Sequence, residues 1–278
     1  MSITRRVALL SSAFLLGGIA SFEALFAPSK KLWDVWLPFN DNSSAKIDHG
    51  VWEDFLQRYL SRDREGINRV AYDRVTAADK ARLDSYIAGL ASVPIRRYSR
   101  TQQLAYWINL YNALTVDLVI EHLPVDSIRD IDISPGLFGD GPWDKKLIEV
   151  EGESLSLNDI EHRILRPIWQ DPRLHYALNC AAVGCPNLQA HAFQAATADA
   201  MLEQAARDFV NSDRASWTTP DGLAVSSIYV WYAEDFGKTD RAILDHMRRF
   251  AEGPARKRLE GVVEIAGHGY DWRLNAAI

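Results

Sequence analysis

The chain has 278 residues, of which 47% are hydrophobic and 24% charged, a globular composition sized for one large domain or two small ones. Its formal net charge of -6 excludes nucleic acid as the main partner, because phosphate binding needs a basic footprint. No low-complexity tract or internal repeat interrupts it, and nine tryptophans with ten tyrosines point to a well-filled core and an aromatic-lined groove.

Residues 1–27 read as a signal peptide or an amino-terminal membrane anchor. Arg5 and Arg6 supply the positive charge ahead of the apolar run 7–19, as an export signal requires. Glu23 interrupts that run and disfavours a full span. The expected location is therefore periplasmic or secreted, with any membrane contact confined to this segment. Residues 28–45 read as a polar, proline-containing linker, and residues 46–278 as one domain.

Along that domain the periodicity predicts helices over 48–60 and 77–90 and a strand over 68–75. Ser99 with Gln102 has capping-box form and opens the longest helix, which Pro124 limits. This helix is apolar nearly all the way round, so it is a buried one. Its polar members, Asn109 and Asn112, lie on neighbouring turns of one side. They either brace a nearby loop or line a polar site.

Residues 134–143 form a Gly- and Pro-rich loop, and 146–151 alternate like a strand. A helix over 157–166 buries Leu157, Ile160, Ile164 and Leu165. Glu161 falls on that inward face, whereas His162 falls on the outward one and is expected at the surface. An inward carboxylate needs a partner: either a buried arginine or a histidine that it orients. Residues 174–178 read as a short strand. A helix from Thr197 to about 210, a hairpin over 217–225 around Pro220-Asp221-Gly222, helices over 228–236 and 240–251, and a strand over 262–266 complete an α+β pattern. It is helix-rich, with a small mixed or antiparallel sheet and no βαβ rhythm.

Both cysteines stand in one stretch, DPRLHYALNCAAVGCPNL (171–188), with His175 five residues before Cys180. A thiol nucleophile needs a base and a stabilised thiolate. Cys180 is the better placed nucleophile, since Gly184-Cys185-Pro186 closes the loop, and His175 is its candidate base. Asn109, Asn112 or Asn179 can polarise a developing oxyanion. A Cys180–Cys185 disulfide is the second reading, because the count is even and export favours oxidation. A metal site is set aside: the C-x4-C spacing is not that of a zinc knuckle or ribbon, even with His175 and His191 nearby. No cofactor motif is present.

The stretches YWINLYNALTVDLVIEH (106–122), LSLNDIEHRILR (155–166), 171–188, VSSIYVWYAEDF (225–236) and YDWRLN (270–275) resemble the bacterial branch of the domain of unknown function 547 (DUF547) family. The resemblance covers residues 95–275. It implies a fold similar in outline to papain-like or transglutaminase-like α+β domains, and hence a cysteine-dependent peptidase or acyl transferase. The family's polar motif positions correspond here to Asn109, Asn112, Glu161, His175 and Cys180. The place of Cys185 tends to be serine in plant relatives, which favours Cys180 as nucleophile over the disulfide. His175 precedes Cys180, the reverse of the papain-like order, so the resemblance implies a permuted arrangement. The expectation is an exported hydrolase or acyl transferase acting on a peptide-like or small-molecule amide or ester: Cys180 nucleophile, His175 base, Glu161 orienting it. The alternatives are a non-catalytic peptide- or ligand-binding domain and a Cys180–Cys185 redox or structural module.

Overall fold

The computed structural model describes residues 28–135 and 141–277. Residues 1–27, where a signal peptide or membrane anchor is expected, lie outside the described residues, as does part of the Gly- and Pro-rich loop.

Helix α1 (Gly50–Tyr59) runs into strand β1 (Leu60–Arg62), which pairs antiparallel with β2 (Asn68–Val70). Helix α2 (Ala77–Ala91) starts at Thr76, whose hydroxyl accepts from the Asp79 N–H. Helix α3 (Arg100–Glu121) starts at Ser99, whose hydroxyl accepts from the Gln102 N–H. Its interior residues 105–116 are all buried, as an all-round apolar helix must be. A second hairpin joins β3 (Ile148–Val150) to β4 (Glu153–Leu155). A π-helical stretch (Asp159–Leu165) runs straight into α4 (Arg166–Trp169), and a 3-10 turn (Pro172–Tyr176) leads to the cysteine loop. Helix α5 (Ala198–Val210) precedes the hairpin β5 (Ser216–Thr219) and β6 (Gly222–Ser226). Short α6 (Ser227–Trp231), α7 (Asp240–Phe250) and α8 (Gly253–Leu259) follow, and β7 (Gly267–Gly269) pairs parallel with β6. The result is a single α+β domain with two hairpins and one three-stranded mixed sheet.

Three expectations are corrected. The last strand is 267–269 rather than 262–266, because its residues pair with β6 and carry almost no local hydrophobic signal. The helix after β6 stops at Trp231 rather than 236. Residues 174–178 are not a strand: Leu174, Ala177 and Leu178 enter the core built on α3, whereas Tyr176 enters the core formed by α5, α7 and the mixed sheet. Positions i, i+3 and i+4 sharing one side is helical spacing, and the turn places His175 at the seam between the two cores.

Candidate functional site

The π-helical stretch is shaped by Pro167. Proline has no N–H, so the carbonyls four and five residues before it, Arg163 and His162, lose the donor a helix would supply. The amino-terminal segment supplies both: Lys31 N–H donates to His162 O at 2.9 Å and Trp33 N–H to Arg163 O at 3.1 Å. The Arg163 guanidinium also lies over the Trp33 ring, 3.9 Å from its centroid. Part of the segment read as a linker is thus a strap laid along this helix.

More residues per turn narrow the angle between successive side chains. Glu161 and His162 both turn inward, at 7% and 3% exposure. The expected surface position of His162 is therefore corrected, for two physical reasons: the wider winding, and the strap that covers the other face. Burial pushes the His162 imidazole down to about 4. Arg166 Nη1 donates to His162 Nδ1 at 2.9 Å and to Pro28 O at 2.8 Å. An arginine only donates, so His162 is neutral with its proton on Nε2.

Asp235 is the hub of the charged cluster. Its carboxylate accepts from His175 Nε2 at 2.8 Å, from Arg166 Nε at 2.6 Å and from Lys30 Nζ at 2.8 Å. Burial would raise its pKa, but the His175 bond, Lys30 and Arg166 outweigh it and hold the group well below the usual carboxylate range. Arg166 donates in addition to Glu234 Oε1 at 2.7 Å. The His175 ring stacks on Tyr232, centroids 4.3 Å apart and planes within 12°, and Arg166 lies 4.7 Å over the same ring. His175 Nδ1 faces Glu161, 3.8 Å from Oε1. Carboxylate Asp235 accepts, so His175 Nε2 carries a proton, and Nδ1 is the ring nitrogen turned toward Glu161.

The asparagines hold the loops. Asn112 accepts from Asn179 N–H at 2.9 Å and donates to Ala177 O at 2.9 Å. Asn109 clamps Phe193 in the same two-point way, at 2.8 and 2.9 Å. Asn179 donates to Pro186 O at 2.8 Å and accepts from Ala181 N–H at 2.9 Å, which secures Ala181 at φ 61°. The three amides are thus engaged with backbone on both their donor and acceptor sides, the bracing reading of Asn109 and Asn112.

Both cysteines are free thiols, Cys180 partly exposed and Cys185 buried. Cys180 Sγ lies 3.1 Å from the Tyr270 hydroxyl, and the Cys180 N–H donates to Cys185 Sγ at 3.1 Å. Tyr270 arrives on the closing segment, which runs against the loop: Gly184 N–H donates to Asp271 O at 2.8 Å and Val183 N–H to Arg273 O at 2.8 Å. Gly184 is required there, since a Cβ would stand 2.7 Å from Asp271 N. The Cys185 thiol, then the Tyr270 hydroxyl and the Ala182 N–H, hold the Cys180 thiol below its ordinary pKa, against burial and the Glu161 charge. Burial pushes Cys185 well up. Trp231, Tyr270 and Trp272 pack on one another as a partly exposed aromatic wall beside the thiol.

Of the residues read from the sequence, Glu161 and His175 meet, and Glu161 acts on the Cys180 thiol through its charge. Among the described residues no hydrogen bond joins His175 to Cys180; their partners are Asp235 and Tyr270. Asp235, Arg166, Lys30 and Tyr270 were not foreseen. Paired acids inside the aromatic run YAEDF (232–236) were the available signal for Asp235. Among the described residues no group of three or more His, Cys, Asp and Glu is set to hold a metal ion, and no helix is long and apolar enough to cross a membrane.

Residues 95–210 match the family described as Protein of unknown function, DUF547. That span holds Asn109, Asn112, Glu161, His175 and both cysteines, whereas Lys30, Asp235 and Tyr270 lie outside it. Comparisons with curated proteins and with solved structures each found no match.

Proposed function

For a chain whose residues 95–210 belong to the DUF547 family, we propose a cysteine-dependent hydrolase or acyl transferase that acts on an amide or ester. One observation carries this reading: a partly exposed thiol with the Tyr270 hydroxyl 3.1 Å from its sulfur, a donor that favours its anion. A thiolate is the nucleophilic form of cysteine.

Cys180 Sγ attacks the carbonyl carbon and forms an S–C bond. The C–N or C–O bond then breaks, and the leaving amine or alcohol takes a proton from the imidazole of His175. The proton lost by the thiol is the one that charges this imidazole, carried through a bridging water or the substrate itself. Asp235 holds Nε2 and leaves Nδ1 as the basic atom, the role the sequence reading gave to Glu161. Water or a second nucleophile finally cleaves the thioester. Burial and the two neighbouring thiols keep the Tyr270 hydroxyl protonated, so it is a donor for the developing oxyanion, in place of the asparagines already committed to backbone. Export through residues 1–27 belongs to the same proposal, on the strength of the arginine pair and apolar run, and cell fractionation tests it.

The deciding experiment is the pH dependence of Cys180 alkylation by iodoacetamide, read by peptide mass spectrometry. An inflection well below the free-thiol value of about 8.5, lost in His175→Ala, supports the enzyme. A slow thiol with an ordinary profile overturns it. That outcome favours a non-catalytic ligand-binding domain, the reading supported by the missing His175–Cys180 hydrogen bond.

A further inference from the structure

Cys180 and Cys185 are the two cysteines of the chain, and the loop between them is folded back on itself. Asn179, next to the first, donates to the carbonyl of Pro186, next to the second, at 2.8 Å. Cys185 N–H donates to Ala182 O at 3.1 Å, and Ala181 bends the chain at φ 61°. Cys185 Sγ is thereby laid against the backbone that carries Cys180: it accepts from Cys180 N–H at 3.1 Å and donates to Leu178 O at 3.5 Å. One N–Cα bond added to the 3.1 Å contact puts Cys185 Sγ within about 4.6 Å of Cys180 Cα. That is within reach of the Cys180 sulfur as its side chain turns about χ1.

The two thiols differ in access and in partners. Cys180 is partly exposed and Cys185 buried, and Cys180 Sγ lies 3.1 Å from the Tyr270 hydroxyl, a donor that suits a thiolate. An accessible thiol of this kind beside a second thiol is the arrangement of a reversible oxidation site. We propose that Cys180 is a site of oxidation by hydrogen peroxide and that Cys185 is its resolving thiol. The pair alone carries this, whether or not Cys180 attacks a carbonyl. The Cys180 thiolate gives an electron pair to one oxygen of the peroxide; an S–O bond forms, the O–O bond breaks and hydroxide leaves. The Cys185 sulfur then attacks the sulfenic acid sulfur. An S–S bond forms, the S–O bond breaks, and the departing hydroxide takes the Cys185 proton as water. Two thiols are oxidised and one peroxide is reduced. The bridge withdraws Cys180 from Tyr270 and from other electrophiles, spares it the irreversible sulfinic and sulfonic states, and is reopened by thiol exchange.

The full chain, reduced and desalted, is treated with equimolar hydrogen peroxide and weighed intact. The chain has no further cysteine, so a mass lower by two hydrogens identifies the bridge. That loss should appear, alkylation of Cys180 by iodoacetamide should be lost with it, and dithiothreitol should restore both. In Cys185→Ser the sulfenic acid should persist and take up dimedone at Cys180, and in Cys180→Ser the buried Cys185 should stay reduced. Gain of two or three oxygens by the wild-type chain without the two-hydrogen loss overturns the proposal, as does no reaction with peroxide; neither result depends on a variant that folds. Ready oxidation of Cys185 in Cys180→Ser overturns the assignment of roles. A bridge formed in a chain whose Cys180 shows an ordinary alkylation profile sinks the hydrolase reading alone.

Discussion

His175 gives its Nε2 proton to Asp235 at 2.8 Å, across a sequence separation of 60 residues. That bond fixes the tautomer and the ring plane together with the Tyr232 stack, and it ties the 3-10 turn to the segment after α6. The same carboxylate holds Arg166, whose side chain is 1% exposed. Asp235→Ala would leave Arg166 with Glu234 as its one carboxylate partner and His175 Nε2 without its acceptor, a loss on the order of 1.5–3 kcal/mol in urea denaturation. Asp235→Asn should cost less, because one oxygen still accepts. Asp235→Ala removes the acceptor of Lys30 Nζ, so cleavage by trypsin within residues 28–33 should accelerate in that variant. Wild-type stability in Asp235→Ala would refute the hub.

The two thiols are predicted to act as a donor and an acceptor rather than as equals. Cys185→Ala removes the neighbouring thiol that most lowers the Cys180 pKa and should raise it. The alkylation rate of Cys180 at pH 7 should fall about tenfold, since a hydrogen bond to a charged group contributes about 1.5–3 kcal/mol. Cys185→Ser keeps a donor and should hold most of the rate. Tyr270→Phe should shift the profile in the same direction by less. An unchanged profile in Cys185→Ala would show that this contact does not bias the thiol.

Stability should fall as the solution is acidified from pH 7 to pH 4. Burial pushes His49, His162 and His246 each down to about 4, against about 6.5 in an unfolded chain. Between those values the unfolded chain takes up protons that the folded chain refuses. The stabilisation is complete above about 6.5 and is lost as pH falls toward 4, at up to about 1.4 kcal/mol per pH unit for each histidine. Asp235, held low in the fold, protects above the ordinary carboxylate range and extends the loss below pH 4. His49→Gln, which can still accept from the Tyr86 hydroxyl that lies 2.7 Å from Nδ1, should flatten the curve by one histidine's share. Equal melting temperatures at pH 7 and pH 5 would contradict the assignment.

Asn112→Ala should destabilise the cysteine loop. It leaves the Asn179 N–H and the Ala177 carbonyl buried without partners, at about 1–3 kcal/mol each. Hydrogen exchange at Asn179 should quicken, and Cys180 should lose its depressed pKa as the loop loosens. Loss of alkylation with full stability and unchanged exchange would instead point to a direct role in the reaction.

The sequence by itself determined the parts whose signals are local. Ser99 and Thr76 sit at helix starts with their hydroxyls on the third N–H, as a capping residue must. The all-round apolar stretch before Pro124 had to be a buried helix, and the hairpin turned at Pro220-Asp221-Gly222. The inward aim of Glu161 followed from its place among Leu157, Ile160 and Ile164. Only the tertiary structure decided the rest. His162 is buried because Pro167 frees two carbonyls that a strap more than a hundred residues upstream covers, and no periodicity within the helix encodes that strap. His175 sits in a turn because the residues around it divide between two cores. Asp235 and Tyr270 reach the site from segments far along the chain, and a hydrogen bond depends on distance in space, which spacing in sequence does not express.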